Sequence, residues 1–233
     1  MGGRKLNFDV TPLLISSKTA ICSTIITFIL GISTARIMAW RKGNFKVLLD
    51  AIFTLPMVLP PTVLGFFLLL LFGKNGPVGK LLFSIGVQVI FSWPATVIAA
   101  TVVAFPLMYR TALGAFEQID INIINAARTL GTSELRIFCT LMVPLAWPGI
   151  AAGTVLSFSR ALGEFGATLM MAGSIPGKTQ TIPVAIYFAV EGGDMKTAIN
   201  WVLIIFLISL TVIFASNYWT SHQSKFTQGR RLK

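Results

Sequence analysis

The sequence predicts an all-α integral membrane protein with about five transmembrane helices, and three observations carry that expectation. The 233 residues are 55% hydrophobic and 12% charged, with 18 phenylalanines and a mean hydropathy of +0.79, more apolar surface than one soluble core of this length buries. The apolar residues gather into five runs, each long enough for a hydrocarbon core that needs about 20 helical residues. Between two of these runs stands a polar segment with helix caps and a glycine stop, which lipid excludes.

The first run covers residues 12–35. Arg4 and Lys5 precede it, but its apolar stretch outlasts the roughly 7–15 residues of a signal core and no small-x-small cleavage site closes it, so it is expected to stay as a span. Leu6 stands where a myristoylation signal needs Ser or Thr. The second run, 51–72, holds Pro56, Pro60 and Pro61. Each proline lacks a backbone donor and clashes with the preceding turn, so this span must break or kink near its cytoplasmic end. Freed carbonyls need protein or a water-filled path around them, which reads as a pathway-lining or gating helix or, more plainly, a packing kink.

The remaining runs are 89–109, 144–162 with an extension toward 171, and 198–219. An odd number of spans puts the termini on opposite sides. One face collects Arg36, Arg41, Lys42, Lys46, Arg110, Arg128, Arg136, Lys225, Arg230, Arg231 and Lys233; the other has Arg4, Lys5, Lys18, Lys74, Lys80, Lys178 and Lys196. Basic residues are retained in the cytoplasm, so the N-terminus is expected outside and the C-terminus inside. The net charge of +11 is scattered over these loops rather than gathered on one folded face, which argues for anionic lipid as the partner and against nucleic acid. Cys22 and Cys139 fall a membrane thickness apart, so no disulfide is expected. His222 reads as a solvated tail residue. With no internal repeat, residues 1–233 read as a single transmembrane domain.

Ala172-Gly173-Ser174-Ile175-Pro176-Gly177-Lys178-Thr179 fits a relaxed phosphate-loop pattern. A working loop of that kind opens a helix after a strand; here a membrane run precedes and Pro183 follows, so an outer turn is expected. With no catalytic or metal-ligand constellation besides, the chain is not expected to be an enzyme or to bind a cofactor itself.

The polar segment reads as two short helices across the cytoplasmic face. Asp120 and Asn122 supply N-cap chemistry, Ile124, Ala127 and Leu130 recur at helical spacing, Gly131 ends the first helix, and Thr132 or Ser133 with Glu134 opens the second. Ala126 and Ala127 leave room for another protein's backbone, and Arg128 and Arg136 offer forks to acidic groups; an ordinary connector under its own helices is the equal alternative. Arg160 and Glu164, four apart on one expected helix face, cost roughly 2.5–3.5 kcal/mol each at mid-bilayer and must face protein or water, either as a clamp or as part of an anion path. Gly163 and Gly166 beside them permit close helix contact.

Asn125-Ala126-Ala127, then Gly131 after three residues and Leu141-Met142-Val143-Pro144 after nine more, resembles the loop shared by membrane subunits of ABC importers, written E-A-A, G and I-x-L-P. Asn125 replaces Glu and loses a charge; Leu141 and Val143 keep apolar character. Residues 55–65, Leu-Pro-Met-Val-Leu-Pro-Pro-Thr-Val-Leu-Gly, and 160–168, Arg-Ala-Leu-Gly-Glu-Phe-Gly-Ala-Thr, resemble molybdate ABC permeases, with sulfate permeases next, as do Ile175-Pro176-Gly177 and Thr181-Ile182-Pro183. The resemblance spans nearly the whole chain. It implies a type I importer permease fold and a coupling role for Asn125, Ala126, Ala127, Arg128, Gly131 and Pro144. It also implies a homodimer around one path, a cytoplasmic ABC ATPase that uses the ATP, and an extracytoplasmic oxyanion-binding protein. Molybdate, with tungstate, is the expected substrate and sulfate or thiosulfate the second. A self-sufficient secondary transporter would need no docking loop and is expected to carry inverted repeats.

Overall fold

The computed structural model describes residues 9–231, with side chains through residue 215. The readings of Arg4, Lys5, Leu6 and Lys233, and of the side chains of His222, Lys225, Arg230 and Arg231, fall outside the described residues.

Eleven α-helices are formed among them: α1 Thr11–Ala39, α2 Asn44–Val58, α3 Pro61–Phe72, α4 Pro77–Ser84, α5 Trp93–Glu117, α6 Ile121–Thr129, α7 Glu134–Ile137, α8 Val143–Leu162, α9 Gly166–Ala172, α10 Ile182–Glu191 and α11 Met195–Arg231. Four helices are long and apolar enough to cross a membrane: α1, α5, the continuous stretch Glu134–Leu162, and α11. The pair α2 and α3, bent by 115°, makes up to five. Lipid is the solvent of this surface: Leu203, Phe206, Leu207, Leu210, Ile213 and Phe214 of α11 are all more than half exposed.

Helix α5 is the centre of the bundle. Parallel to it runs α1, with Thr19 Oγ1 3.0 Å from Thr96 Oγ1 and Gly31 so close to Met108 that a Cβ would lie 2.7 Å from its Cγ. Antiparallel to it runs α8, with Gly149 against Ala115 and Gly153 against Thr111. Lipid tails are as apolar as the side chains, so these helices associate through close van der Waals fit at small residues rather than by hydrophobic sorting. The most deeply buried side chains, among them Met38, Met108, Tyr109, Phe116, Ile124, Ile137 and Ile150, form one cluster toward the end of the bundle that carries α6 and α7. We call it the loop end.

At the loop end α2 begins, tied to α5 by an ion pair between Lys46 and Glu117 at 2.8 Å. It climbs antiparallel: the Tyr109 hydroxyl donates to Asp50, and the Phe53 ring meets Phe105 and Tyr109 edge-on at 5.8 and 5.4 Å. The break then falls at Leu59 and Pro60, both extended, opposite the middle of α5. The sequence places the break near one end of the span, but it falls well inside, because the helix starts at Asn44 rather than at residue 51 and carries Pro56 within it. Only the tandem prolines stop it: a residue before proline is pushed out of the helical region, and Pro61 tolerates the first turn of α3 because no partner awaits its missing N–H.

A candidate gate and a candidate coupling loop

The loop is built from α6 outward. Asp120 Oδ1 accepts the Asn122 N–H at 2.9 Å and caps α6. The helix closes in a Schellman arrangement, in which the Thr132 N–H donates to the Ala127 carbonyl at 3.1 Å and the Gly131 N–H to the Arg128 carbonyl at 2.9 Å, with Gly131 at φ 74°. Ile124, Ala127 and Ile137 are buried in the same cluster as Phe116, so the loop is anchored on the ends of α5 and α8. Ile121, Ile123, Leu130 and Leu135 are exposed, Leu130 by 85%.

Four expectations change here. Leu130 does not share the buried face of Ile124 and Ala127, because the helix ends at Thr129 and the chain reverses there. Ala127 is turned inward, leaving Ala126 as the small residue open to another surface. Arg128 is committed inside the loop: its Nε and Nη2 donate to Glu134 at 2.6 and 3.1 Å and its Nη1 to Asn125 Oδ1 at 3.2 Å. This fork holds the Glu134 carboxyl below its ordinary value. Nor is the second loop helix short. After α7 a π-helical turn, Phe138–Met142, leads without interruption into α8, the wider turn accommodating Pro144, which cannot donate to the ladder.

The two proline- and glycine-rich motifs meet far from the loop. Gly166 of α9 packs on Pro61, and Gly65 of α3 packs on Ala167 and Met170, where a Cβ would lie 2.8 Å from each neighbour. Gly166 is therefore a contact glycine as expected, whereas Gly163 is exposed and a Cβ there would meet only its own Ser159 carbonyl at 3.6 Å.

Arg160 and Glu164 do not share one helix face. Helix α8 ends at Leu162, and Glu164 stands in the break before α9, so the extension toward 171 is a separate short helix. There Glu164 Oε1 accepts the Ala167 N–H at 2.8 Å, and Oε2 lies 2.8 Å from Arg160 Nη1 in an ionic contact without directed hydrogen-bond geometry. The Glu164 side chain is 1% exposed and that of Arg160 34%, so the pair clamps α8 to α9 while the guanidinium keeps one side open. The ties of α2 to α5 were missed from the sequence; Asp50, the carboxylate immediately before the second run, was the signal that could have pointed to them.

The phosphate-loop pattern folds as a turn. Thr179 Oγ1 donates to the Ala172 carbonyl at 2.9 Å and accepts the Ile175 N–H at 3.0 Å, and the next helix opens only at Ile182, so no helix N-terminus faces a phosphate there.

Residues 27–223 match the family described as binding-protein-dependent transport system inner membrane component. YvgM, a permease protein of Bacillus subtilis, is 46% identical over 88% of this chain and 90% of its own length. The molybdenum transport system permease protein ModB of Haemophilus influenzae is 39% identical over 95% of this chain and 98% of its own. Among solved structures, a chain of an inward-facing methionine ABC transporter superposes with a TM-score of 0.72 at 16% identity, covering 95% of this chain and 99% of that one. A chain of a bacterial alginate ABC importer superposes with 0.76 at 15% identity over 94% and 80%. The fold is thus that of the type I importer permeases, and the chain belongs to the binding-protein-dependent transport system inner membrane components, among the molybdenum transport system permeases.

Proposed function

We propose that this chain is the membrane-spanning permease of an ABC importer that moves molybdate, and with it tungstate, into the cytoplasm. The observation that carries this reading is the 38–46% identity, over most of the chain, to permeases described by molybdenum transport. Sulfate, a smaller tetrahedral dianion, is the competitor that the relatives do not favour.

Two copies of the chain enclose one path, the loop end faces the cytoplasm, and the N-terminus lies outside. A cytoplasmic ATPase uses the ATP and an extracytoplasmic binding protein delivers the anion; the chain itself holds no cofactor and catalyses nothing. Its residues 1–233 act as one transmembrane domain.

The geometry suggests how force could pass. The exposed Ile121, Ile123, Ala126, Leu130 and Leu135 offer an apolar face for the ATPase, while Ile124, Ala127 and Ile137 key the loop into the core. A push on α6 therefore moves the ends of α5 and α8 together, because packed interiors transmit displacement rather than absorb it. At the other end of α8 the Arg160 and Glu164 clamp hands that motion to α9, which leans on Pro61 and Gly65 of α3. Pro56, Pro60, Pro61, Arg160, Gly163, Glu164 and Gly166 are the gate in this reading, with the break at Leu59 and Pro60 as its hinge.

The test is ATP-driven uptake of labelled molybdate, tungstate and sulfate by the complex reconstituted in vesicles with its ATPase and binding protein. Molybdate and tungstate uptake well above sulfate is expected; preferential sulfate uptake, or uptake without ATP, would overturn the reading.

A further inference from the structure

We propose that Arg110 is an anion-binding residue of the translocation path, placed on the loop side of the α3 and α9 contact, and that it takes a tetrahedral oxyanion after Arg160. The inference rests on the function proposed above.

Three sides of α5 are covered. Gly31 of α1 meets Met108 and Tyr109, Phe53 of α2 meets Phe105 and Tyr109, and Gly153 of α8 meets Thr111. The side that remains carries Ala99, Val103, Arg110 and Gly114, which helical spacing stacks on one face. It lies between α2 and α8, away from α1. In its half away from the loop that face is closed by Leu64 and Leu68 of α3 and by Ala167 and Met171 of α9. In its loop half it is open: Arg110, Gly114 and Gln118 of α5, with Ile123, Gly149 and Ala152, line a cavity of about 700 Å3. One face of one helix is therefore plugged by the gate and, beyond the plug, becomes a vestibule with an arginine in it.

The Arg110 side chain is exposed and makes no ion pair or hydrogen bond with another described residue. The carboxylates around it have partners of their own: Asp120, also on the cavity wall, accepts the Asn122 N–H, Glu117 pairs with Lys46, and Asp50 accepts the Tyr109 hydroxyl. A guanidinium fork fits tetrahedral oxyanions. Arg160 follows Gly149 by three helical turns on the same face of α8, and the antiparallel register sets it about 9 Å along the seam from Arg110 at 1.5 Å rise per residue.

A lipid phosphate offers the same chemistry, so the test separates the two sources. In the reconstituted complex, Arg110→Gln is expected to cut molybdate uptake by about tenfold or more, the scale set by losing a charged partner, with co-purification of the ATPase retained, and Arg110→Lys to keep a large part of it. In a background with Cys22→Ser and Cys139→Ser, Arg110→Cys is expected to react with a water-soluble thiol reagent from the ATPase side and to be protected by molybdate. A cationic methanethiosulfonate is expected to restore uptake and an anionic one not. Uptake by Arg110→Gln within about twofold of the parent would overturn the proposal. So would a loss that tracks the anionic lipid content of the vesicles without molybdate protection, which marks a headgroup contact, and so would failure of all three variants to assemble, which marks a structural role. The unsubstituted complex reports on the function itself: if it moves no molybdate, that reading falls, and this one with it.

Discussion

Gly166 lies against Pro61 so closely that a β-carbon on the glycine would stand 2.9 Å from the proline Cβ and 3.3 Å from the Thr62 nitrogen. The two residues belong to motifs about a hundred positions apart, and their contact joins the break in the second span to the break after the fourth. Any side chain at 166 must push α3 off α9. Gly166→Leu is therefore expected to lower molybdate uptake by about tenfold or more and to destabilise the fold by roughly 1–3 kcal/mol, the range for overpacking. Uptake assays and thermal unfolding of the purified complex measure the two effects; an unchanged rate would exclude a moving contact here.

Gly131 meets no atom that a Cβ would touch, but its φ of 74° is left-handed. Gly131→Val is expected to cost about 1–2 kcal/mol of local conformational energy, to loosen the Schellman closure, and to reduce both ATPase co-purification and uptake. Gly131→Asn, which tolerates that region, is expected to keep most of both. Equal behaviour of the two variants would show that backbone conformation is not what the loop needs.

Arg160 and Glu164 separate two roles by experiment. Glu164→Gln leaves the guanidinium without its counter-charge and is expected to lower folded yield, with a cost of about 1–3 kcal/mol for the weakened buried contacts. Because Glu164 also accepts the Ala167 N–H from outside the helix, exchanging the two charges is expected to recover only part of the yield. If Arg160 also meets the anion, Arg160→Gln cuts uptake in complexes that still assemble, and the exchange does not restore it. Near-normal yield and uptake in all three variants would remove both roles.

The orientation is checked by accessibility. With Cys139, which is exposed in the loop, replaced by serine, a cysteine at Ser174 is expected to react with an impermeant thiol reagent on intact cells, and one at Ser133 only after the membrane is opened. The reverse pattern would invert the topology.

The number and type of the spans were legible in the chain because apolar runs and proline stops act locally: a helix that lipid must solvate has to be apolar along its own length. The same holds for the loop, since the Asp120 cap and the Gly131 reversal are chemistry between neighbours. Legibility ended where the chain reverses or breaks, because helical spacing there no longer sets which residues face each other. Leu130 at the helical spacing of Ile124 still faces out, Arg128 was free to pair with anything until Glu134 came within its fork, and Glu164 left the helix of Arg160 because the chain broke at Gly163. What the amino-acid order determined by itself is a bundle of membrane helices with one polar loop and the proline break of the second span; the break at Gly163 was not legible in it. What only the tertiary structure decided is that the breaks face each other and that the open side of α5 carries Arg110, since in lipid no hydrophobic sorting selects helix neighbours and the choice falls to shape fit between residues far apart in sequence.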